Sequence, residues 1–437
     1  MRRFTAFLLS ALMLVSLTAC GKEKTEPAAP SSAVSSGADP ISTVGASAGA
    51  SSGASSAASS AAEPEPAPAP QPEPYAIYDP AVMPEGGARD GVTYAAYDGV
   101  VEHLFFHPVI AYPELAFDGD RQSDGFDDWM VTADEYVKIL NSLYEKGYVL
   151  VDIADCWSEV TNESGEVRMA KNTLYLPEGK KPLILSYDDV NYYEYMLANG
   201  FTYKLILGED GKLWSWGLDP AGNEVVSRDL DAITILDKFV EQHPDFSPFG
   251  AKGCLSITGY EGILGYRTQT DKDDQTPERE VLHQSEIEAV KPIVAERKRT
   301  GWTFGSHTFG HIRLEKRSLG DVTADMQRWF NEVGSLVGDT CVLFYPFGGR
   351  LDGDDVQQTG PAFQWMQSQG FRIFCSVGID SYSKCKKDIA AVICDRLHPD
   401  GTTLRSAKGR ERYMRFYDAA DIIDLSVRPQ REVGWLA

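Results

Sequence analysis

The sequence predicts an α/β fold in which parallel strands are covered by helices, closed into a barrel or laid out as a large open sheet. Three observations carry this. Short β-branched or aromatic runs alternate with helical patterns over roughly 340 residues, the length of one large domain. The helical stretches have readable ends, as in the capping-box patterns Thr132-Ala-Asp-Glu135 and Ser285-Glu-Ile-Glu288. Five of the apolar runs deliver His, Asp or Arg within a few residues of their ends, as barrel strands do at the rim where chemistry gathers.

In chain order, the first segment is MRRFTAFLLSALMLVSLTACGK. Arg2 and Arg3 precede an apolar run from Phe4 to Leu17, short for a membrane-spanning helix. The run closes on Leu17-Thr18-Ala19-Cys20, which resembles the lipobox of bacterial lipoproteins. The resemblance implies a signal peptide over residues 1–20, lipidation of Cys20, and a protein held by that lipid at the extracellular face of the cell membrane. A secretory signal with a chance cysteine is the other reading, and it too takes the chain out of the cytoplasm. Stretches such as SSGASSAASSAAEPEPAPAPQPEP follow, with almost no large apolar residue to offset their ordering entropy. A disordered Ala/Ser/Pro-rich tether is expected over residues 21–90 and a folded domain over 91–437. The chain carries a net charge of −23, nearly all of it beyond residue 75, which argues against a nucleic-acid backbone as partner.

Within the domain the expected strands are 103–106 (HLFF), 148–153 (YVLVDI), 182–187 (PLILSY), 203–207 (YKLIL), 253–257 (GCLSI), 302–305 (WTFG), 342–345 (VLFY), 371–376 (FRIFCS) and 390–395 (AAVICD). Tyr136, Ile139, Leu140, Leu143 and Tyr144 form one helical face ending at Gly147. Ser285 opens a second helix that Pro292 bends, and Pro361 and Gly370 bracket a third. Six cysteines follow Cys20 with no CxxC pair. Most lie in apolar runs, as buried free thiols do, and a Cys385–Cys394 disulfide is left open by an extracellular location.

The strand ends carry the chemistry. HLFF leads to His107, PLILSY to Asp188-Asp189, WTFG to Ser306-His307, VLFY to Pro346-Phe-Gly-Gly-Arg350, and AAVICD to Arg396 and His398. Adjacent carboxylates after an apolar strand repel each other, and a divalent cation would relieve that. Alone, the Asp pair also suits a helix N-terminus, and His307 with His311 could equally be two surface histidines. Following strands of one sheet, they make a two-His, one-Asp set of the kind that holds catalytic zinc, with cobalt, nickel or manganese as substitutes.

LSYDDV, SHTFGH and FYPFGG, in that order, resemble the first three motifs of the polysaccharide deacetylases of carbohydrate esterase family four, over roughly residues 100–400. The resemblance implies a distorted (β/α) barrel of about seven parallel strands, with insertions. It implies metal-dependent removal of acetyl groups from an N-acetylated glycan, either peptidoglycan or an exopolysaccharide. Asp188 becomes the general base, and Asp189, His307 and His311 become the ligands of a divalent metal, zinc by default. Tyr345, Pro346, Phe347 and Gly348 become the groove wall, with a backbone N–H for the oxyanion. His398, the one histidine after His311, becomes the general acid. The third motif often begins with an arginine that contacts the base; here Phe344 stands there, leaving Arg350 or Arg396 to approach from elsewhere. His107 is expected beside the substrate groove without binding metal, as is Arg396. The stretch from 208 to 285 reads as insertions, with Trp214, Trp216, Tyr260 and Tyr266 available either to stack on sugars or simply to pack. His103, His243 and His283 read as structural or surface residues. A second class of function stays open: a catalytically quiet glycan-binding lipoprotein that keeps the barrel.

Overall fold

A computed structural model describes residues 76–270 and 276–431, so the expected signal peptide, the lipidated Cys20 and the tether up to residue 75 lie outside the described residues. Seven parallel strands form the centre: β1 (Glu102–Phe106), β2 (Lys181–Asp188), β3 (Gly253–Ile257), β4 (Trp302–Ser306), β5 (Val342–Phe344), β6 (Ile373–Val377) and β7 (Val392–Arg396). Each pairs in parallel with the next. A parallel bridge between Leu104 and Leu397 joins β1 to the end of β7. There the Phe105 N–H donates to the Leu397 carbonyl at 2.9 Å, and the Leu397 N–H to the His103 carbonyl at 3.0 Å. The ring is therefore nearly closed: the antiparallel strand Tyr382–Cys385 takes the rest of the outer edge of β7. The short strand Tyr148–Leu150 pairs only with the first half of β2.

Alternation along the strands splits their side chains between two cores. Leu183, Leu185, Leu255, Leu343 and Phe374 belong to the larger core, together with residues of α1 (Ala133–Glu145), α2 (Ala232–Gln242), α3 (Pro277–Arg299), α4 (Leu319–Trp329) and α5 (Pro361–Ser368). Ile184, Cys254, Val342, Phe344, Cys375 and Cys394 form the second core, the barrel interior, joined by Trp157, Met169, Leu174 and Leu176 from short antiparallel strands. Those strands plug one end of the barrel with apolar side chains. The other end receives the polar continuation of the same inward series.

Several helix ends follow the sequence. Thr132 and Glu135 form the capping box of α1, and Pro361 is the first residue of α5. Other expectations are corrected. Helix α3 starts at Pro277 behind an N-cap Thr276; Ser285 lies inside it, its hydroxyl bonded to the Leu282 carbonyl rather than capping. The run at Lys204–Leu207 belongs to a separate antiparallel sheet with Leu213–Leu218 and Glu224–Ser227, because a hairpin so short cannot return in parallel. Residues 76–90, expected within the tether, are mostly exposed but touch the domain: the Tyr78 N–H donates to the Phe249 carbonyl at 2.8 Å, the Tyr175 N–H to the Pro80 carbonyl at 2.7 Å, and Arg89 lies 3.6 Å over the Tyr78 ring. The six cysteines are free. Cys385 registers with Val392 rather than with Cys394, which instead faces Cys375 across β6 and β7.

Candidate active site

The inward series of β2 reads Ile184, Ser186, Asp188, and that of β7 reads Val392, Cys394, Arg396, His398. Alternation alone therefore delivers Asp188, Arg396 and His398 to the polar mouth of the barrel. It would send Asp189 outward. Asp189 instead adopts a left-handed backbone, with φ of 59°, and this breaks the alternation so that both carboxylates face the mouth. In the SHTFGH loop, Thr308 (φ of 61°) and His311 (φ of 47°) turn the chain back so that His311 joins His307. The carboxylate of Asp325 on α4 accepts the Phe309 and Gly310 N–H groups at 2.7 and 2.9 Å and fixes that loop.

Asp188 is held by a buried fork. Arg396 donates from Nη1 to Oδ1 at 2.8 Å and from Nη2 to Oδ2 at 2.9 Å, and also reaches Ser186 Oγ at 3.1 Å. The guanidinium is sandwiched 4.1 Å from the Phe105 ring and 4.6 Å from the Phe344 ring, with no exposure to solvent. Burial, the largest single influence, pushes the Asp188 carboxyl up, but Arg396, His307 and His107 together outweigh it and hold the group well below the usual carboxylate range. Arg396 thus sits behind the base instead of lining the groove. Arg350, the other arginine considered, pairs with Asp395 at 3.0 Å. Phe344, which replaces the family's arginine, forms one slice of the sandwich. His103 stands behind this group, its Nε2 2.9 Å from Ser186 Oγ, with burial holding it neutral.

Ligand atoms of Asp189, His307 and His311 all lie within 4.8 Å of one another. The Phe344 carbonyl lies 2.9 Å from His307 Nδ1, so that nitrogen carries the proton and Nε2 keeps its lone pair for the mouth. Burial lowers the His311 pKa to about 4, which leaves this imidazole neutral. Its Nε2 is 3.7 Å from Asp189 Oδ2, and Tyr193 donates to Asp189 Oδ1 at 2.6 Å. One oriented carboxylate with two imidazoles fits a divalent transition metal, and the His307 Nδ1 hydrogen bond from behind is the support such ligands need.

A line of hydrogen bonds enters from the other side. His398 Nδ1 lies 3.1 Å from Asp400 Oδ2, and His398 Nε2 lies 3.0 Å from His107 Nδ1. The Asp400 carboxyl, raised by burial but lowered further by His398, stays ionised and only accepts. His398 therefore donates from Nδ1, accepts at Nε2 from His107, and leaves His107 Nε2 facing Asp189 Oδ2 at 3.9 Å. The His398 ring is stacked on Phe105 with centroids 4.3 Å apart, so His107 stands between it and the carboxylates. Burial, then the neighbouring His398, lowers the His107 pKa to about 4.

The expected groove wall divides. Tyr345 and Pro346 are buried, the Tyr345 hydroxyl turned away to Gln358 at 3.4 Å, so they support the wall without lining it. Phe347, with φ of 58°, packs its ring 4.4 Å from that of His311, and Arg313 lies 4.0 Å over it. The N–H groups of Tyr345, Gly348 and Gly349 have protein acceptors, whereas that of Phe347 has none among the described residues. His243 packs against Tyr144 and Phe239, and His283 Nε2 lies 2.9 Å from the Thr268 carbonyl, both away from this cluster. Sequence reading missed Tyr193 and Asp400. Asp400 had a visible signal as the N-cap of Gly401–Arg405, but not its second role on His398.

No family model and no curated protein matches the chain. Among solved structures it is similar to the deacetylase PplD of Streptococcus pyogenes in complex with acetate, at 12% identity over 71% of this chain and 94% of that one, with a TM-score of 0.36. It is similar to BC0361, a polysaccharide deacetylase from Bacillus cereus, at 12% identity over 76% and 71%, with a TM-score of 0.38. It is also similar to IcaB from Ammonifex degensii, at 10% identity over 63% and 83%, with a TM-score of 0.30. At this level of likeness the neighbours carry no argument about activity, which rests on the side chains.

Proposed function

We propose that this protein is a metal-dependent hydrolase of linear amides that removes acetyl groups from an N-acetylated cell-surface polysaccharide, peptidoglycan or an exopolysaccharide. The observation that carries the reading is Asp188, ionised and gripped by Arg396, beside the cluster of Asp189, His307 and His311. Those three residues would hold a divalent ion, zinc by its donor set, which supplies polarisation of the acetyl carbonyl and a water of lowered pKa. Asp188 takes the proton of the attacking water, and the buried fork keeps its free lone pairs aimed at the mouth. The Phe347 N–H is the donor offered to the oxyanion of the tetrahedral intermediate. His107 Nε2, unprotonated at rest, takes up the proton that Asp188 removes from the water and delivers it to the leaving nitrogen, while His398, oriented by Asp400, accepts from His107 Nδ1 and steadies the imidazolium. Water is added across the C–N bond, giving acetate and the free amine. His107 is thus the acid nearest the reaction, and His398 behind it is a positioning residue.

The quiet glycan-binding reading drew on the missing arginine of the third motif, and Arg396 fills that role from another strand. We further propose that Cys20 anchors the chain by lipid at the extracellular face of the membrane. The experiment is acetate release from peptidoglycan, N-acetylglucosamine oligomers and acetylated xylan by zinc-loaded protein, with Asp188→Asn as control. Release that the substitution abolishes is expected. No release from any of the three by loaded protein would overturn the reading.

A further inference from the structure

Three tyrosines beside the cluster take no part in the chemistry above. Tyr193 is buried, its hydroxyl tied to Asp189 and 3.0 Å from Thr258 Oγ1. Tyr260 stacks on it with centroids 4.9 Å apart and planes 21° apart, and Tyr195 is its other parallel neighbour at 6.0 Å and 21°. Tyr195 is 41% exposed and Tyr260 37%, although both are large flat rings next to a buried active-site carboxylate.

The frame under these rings is rigid. Buried Asn191 donates through Nδ2 to the Thr258 carbonyl at 2.8 Å and to the Gly262 carbonyl, and its Oδ1 accepts the Thr258 N–H at 3.2 Å. Arg267 donates to the Glu261 carbonyl at 2.6 Å and the Tyr192 carbonyl at 2.8 Å. Tyr192 takes φ of 57° and buries its own ring, with its hydroxyl on Asp231 at 2.9 Å. The loops after β2 and β3 are thereby locked to each other, and the exposed rings need no ordering on binding.

Two fixed, half-open aromatic rings suit the C–H face of a pyranose. Their hydroxyl edges and the neighbouring Glu194 and Glu261 offer hydrogen-bond acceptors and negative charge. Such an edge disfavours uronates and tolerates free amines. We propose that Tyr195 and Tyr260, carried on the frame around Tyr193, form a subsite for a hexosamine ring of the glycan, next to the sugar that loses its acetyl group. The position of that neighbouring sugar rests on the deacetylase reading, whereas the platform rests on the geometry of the rings. Trp214, Trp216 and Tyr266 are not part of it: the two tryptophans lie on the separate antiparallel sheet, and Tyr266 is buried.

The test is calorimetric binding of tetra-N-acetylchitotetraose to the zinc-loaded protein carrying Asp188→Asn, which reads binding without turnover, with tetragalacturonate as the anionic comparison. Tyr260→Ala is expected to weaken binding about tenfold, Tyr260→Trp to restore it, and tetragalacturonate to bind at least tenfold more weakly than the chitotetraose. Tyr195→Ala, on the separate short helix Glu194–Ala198, is expected to weaken it severalfold and guards against a local folding defect at Tyr260. Unchanged affinity in both alanine variants overturns the platform, as does failure of the chitotetraose to bind at all. Ring-dependent binding in a protein whose Asp188-intact form releases no acetate supports the platform and removes the deacetylase reading instead.

Discussion

Replacing Arg396 by Met tests the coupling on which the site depends. The guanidinium has no exposure, grips both Asp188 oxygens and fills the gap between Phe105 and Phe344. Methionine can occupy much of that slot, so packing loss is the smaller term. The larger one is the Asp188 charge, left buried without a partner, for which the expected cost is about 3–5 kcal/mol at neutral pH. The pH dependence has a definite sign. In the wild type the Asp188 pKa is lowered on folding, so its contribution is present above the unfolded value, about 3.9, and lost as pH falls below it. In Arg396→Met burial, the largest influence, is opposed only by His307 and His107, and the folded pKa rises above that value. The variant should therefore regain part of its stability as pH falls toward 4, where the wild type does not. Urea unfolding of chelator-treated proteins between pH 4 and 8 gives both slopes. Adding Asp188→Asn to Arg396→Met removes the stranded charge and should recover at least half of the loss. A variant as stable as wild type, or one that Asp188→Asn does not rescue, would refute the account of Asp188 as a base kept ionised by Arg396.

Two further outcomes follow from the supports behind the cluster. Tyr193→Phe removes the 2.6 Å hydrogen bond to Asp189 Oδ1 and should weaken zinc binding about 10- to 100-fold in a competition titration with a chromophoric chelator, while leaving the fold intact by circular dichroism. His398→Ala breaks the line from Asp400 to His107 and should lower kcat for acetate release by about 10²–10⁴-fold with little change in metal content. A loss in metal content equal to the loss in rate would instead place His398 among the ligands.

The barrel was legible because its strands are short apolar runs separated by capped helices, and because their inward residues turn polar at one end. The DD pair and SHTFGH were visible as chemistry for the same reason. Their convergence was not, since it depends on left-handed residues, Asp189, Thr308 and His311, that no periodicity announces. Arg396 shows a different limit. Its position after an apolar strand marked it as a rim residue, but only closure of β7 against β1 brings it under Asp188, 208 positions away in sequence. The relation of His107 to His398 crosses the same closing seam. The Lys204–Leu207 strand was misplaced because an apolar run carries no record of its partner. Residues 76–90 read as tether because the contacts that hold them come from elsewhere in the chain, from Phe249, Tyr175 and the strand at Val92–Tyr97.

The central claim is that Asp189, His307 and His311 hold one metal ion. Elemental analysis of the zinc-reconstituted protein against its His307→Ala variant tests it most directly. One equivalent of zinc in the wild type, lost in a variant that remains folded, is the predicted result. No metal in the wild type after reconstitution, or full retention in His307→Ala, would contradict it.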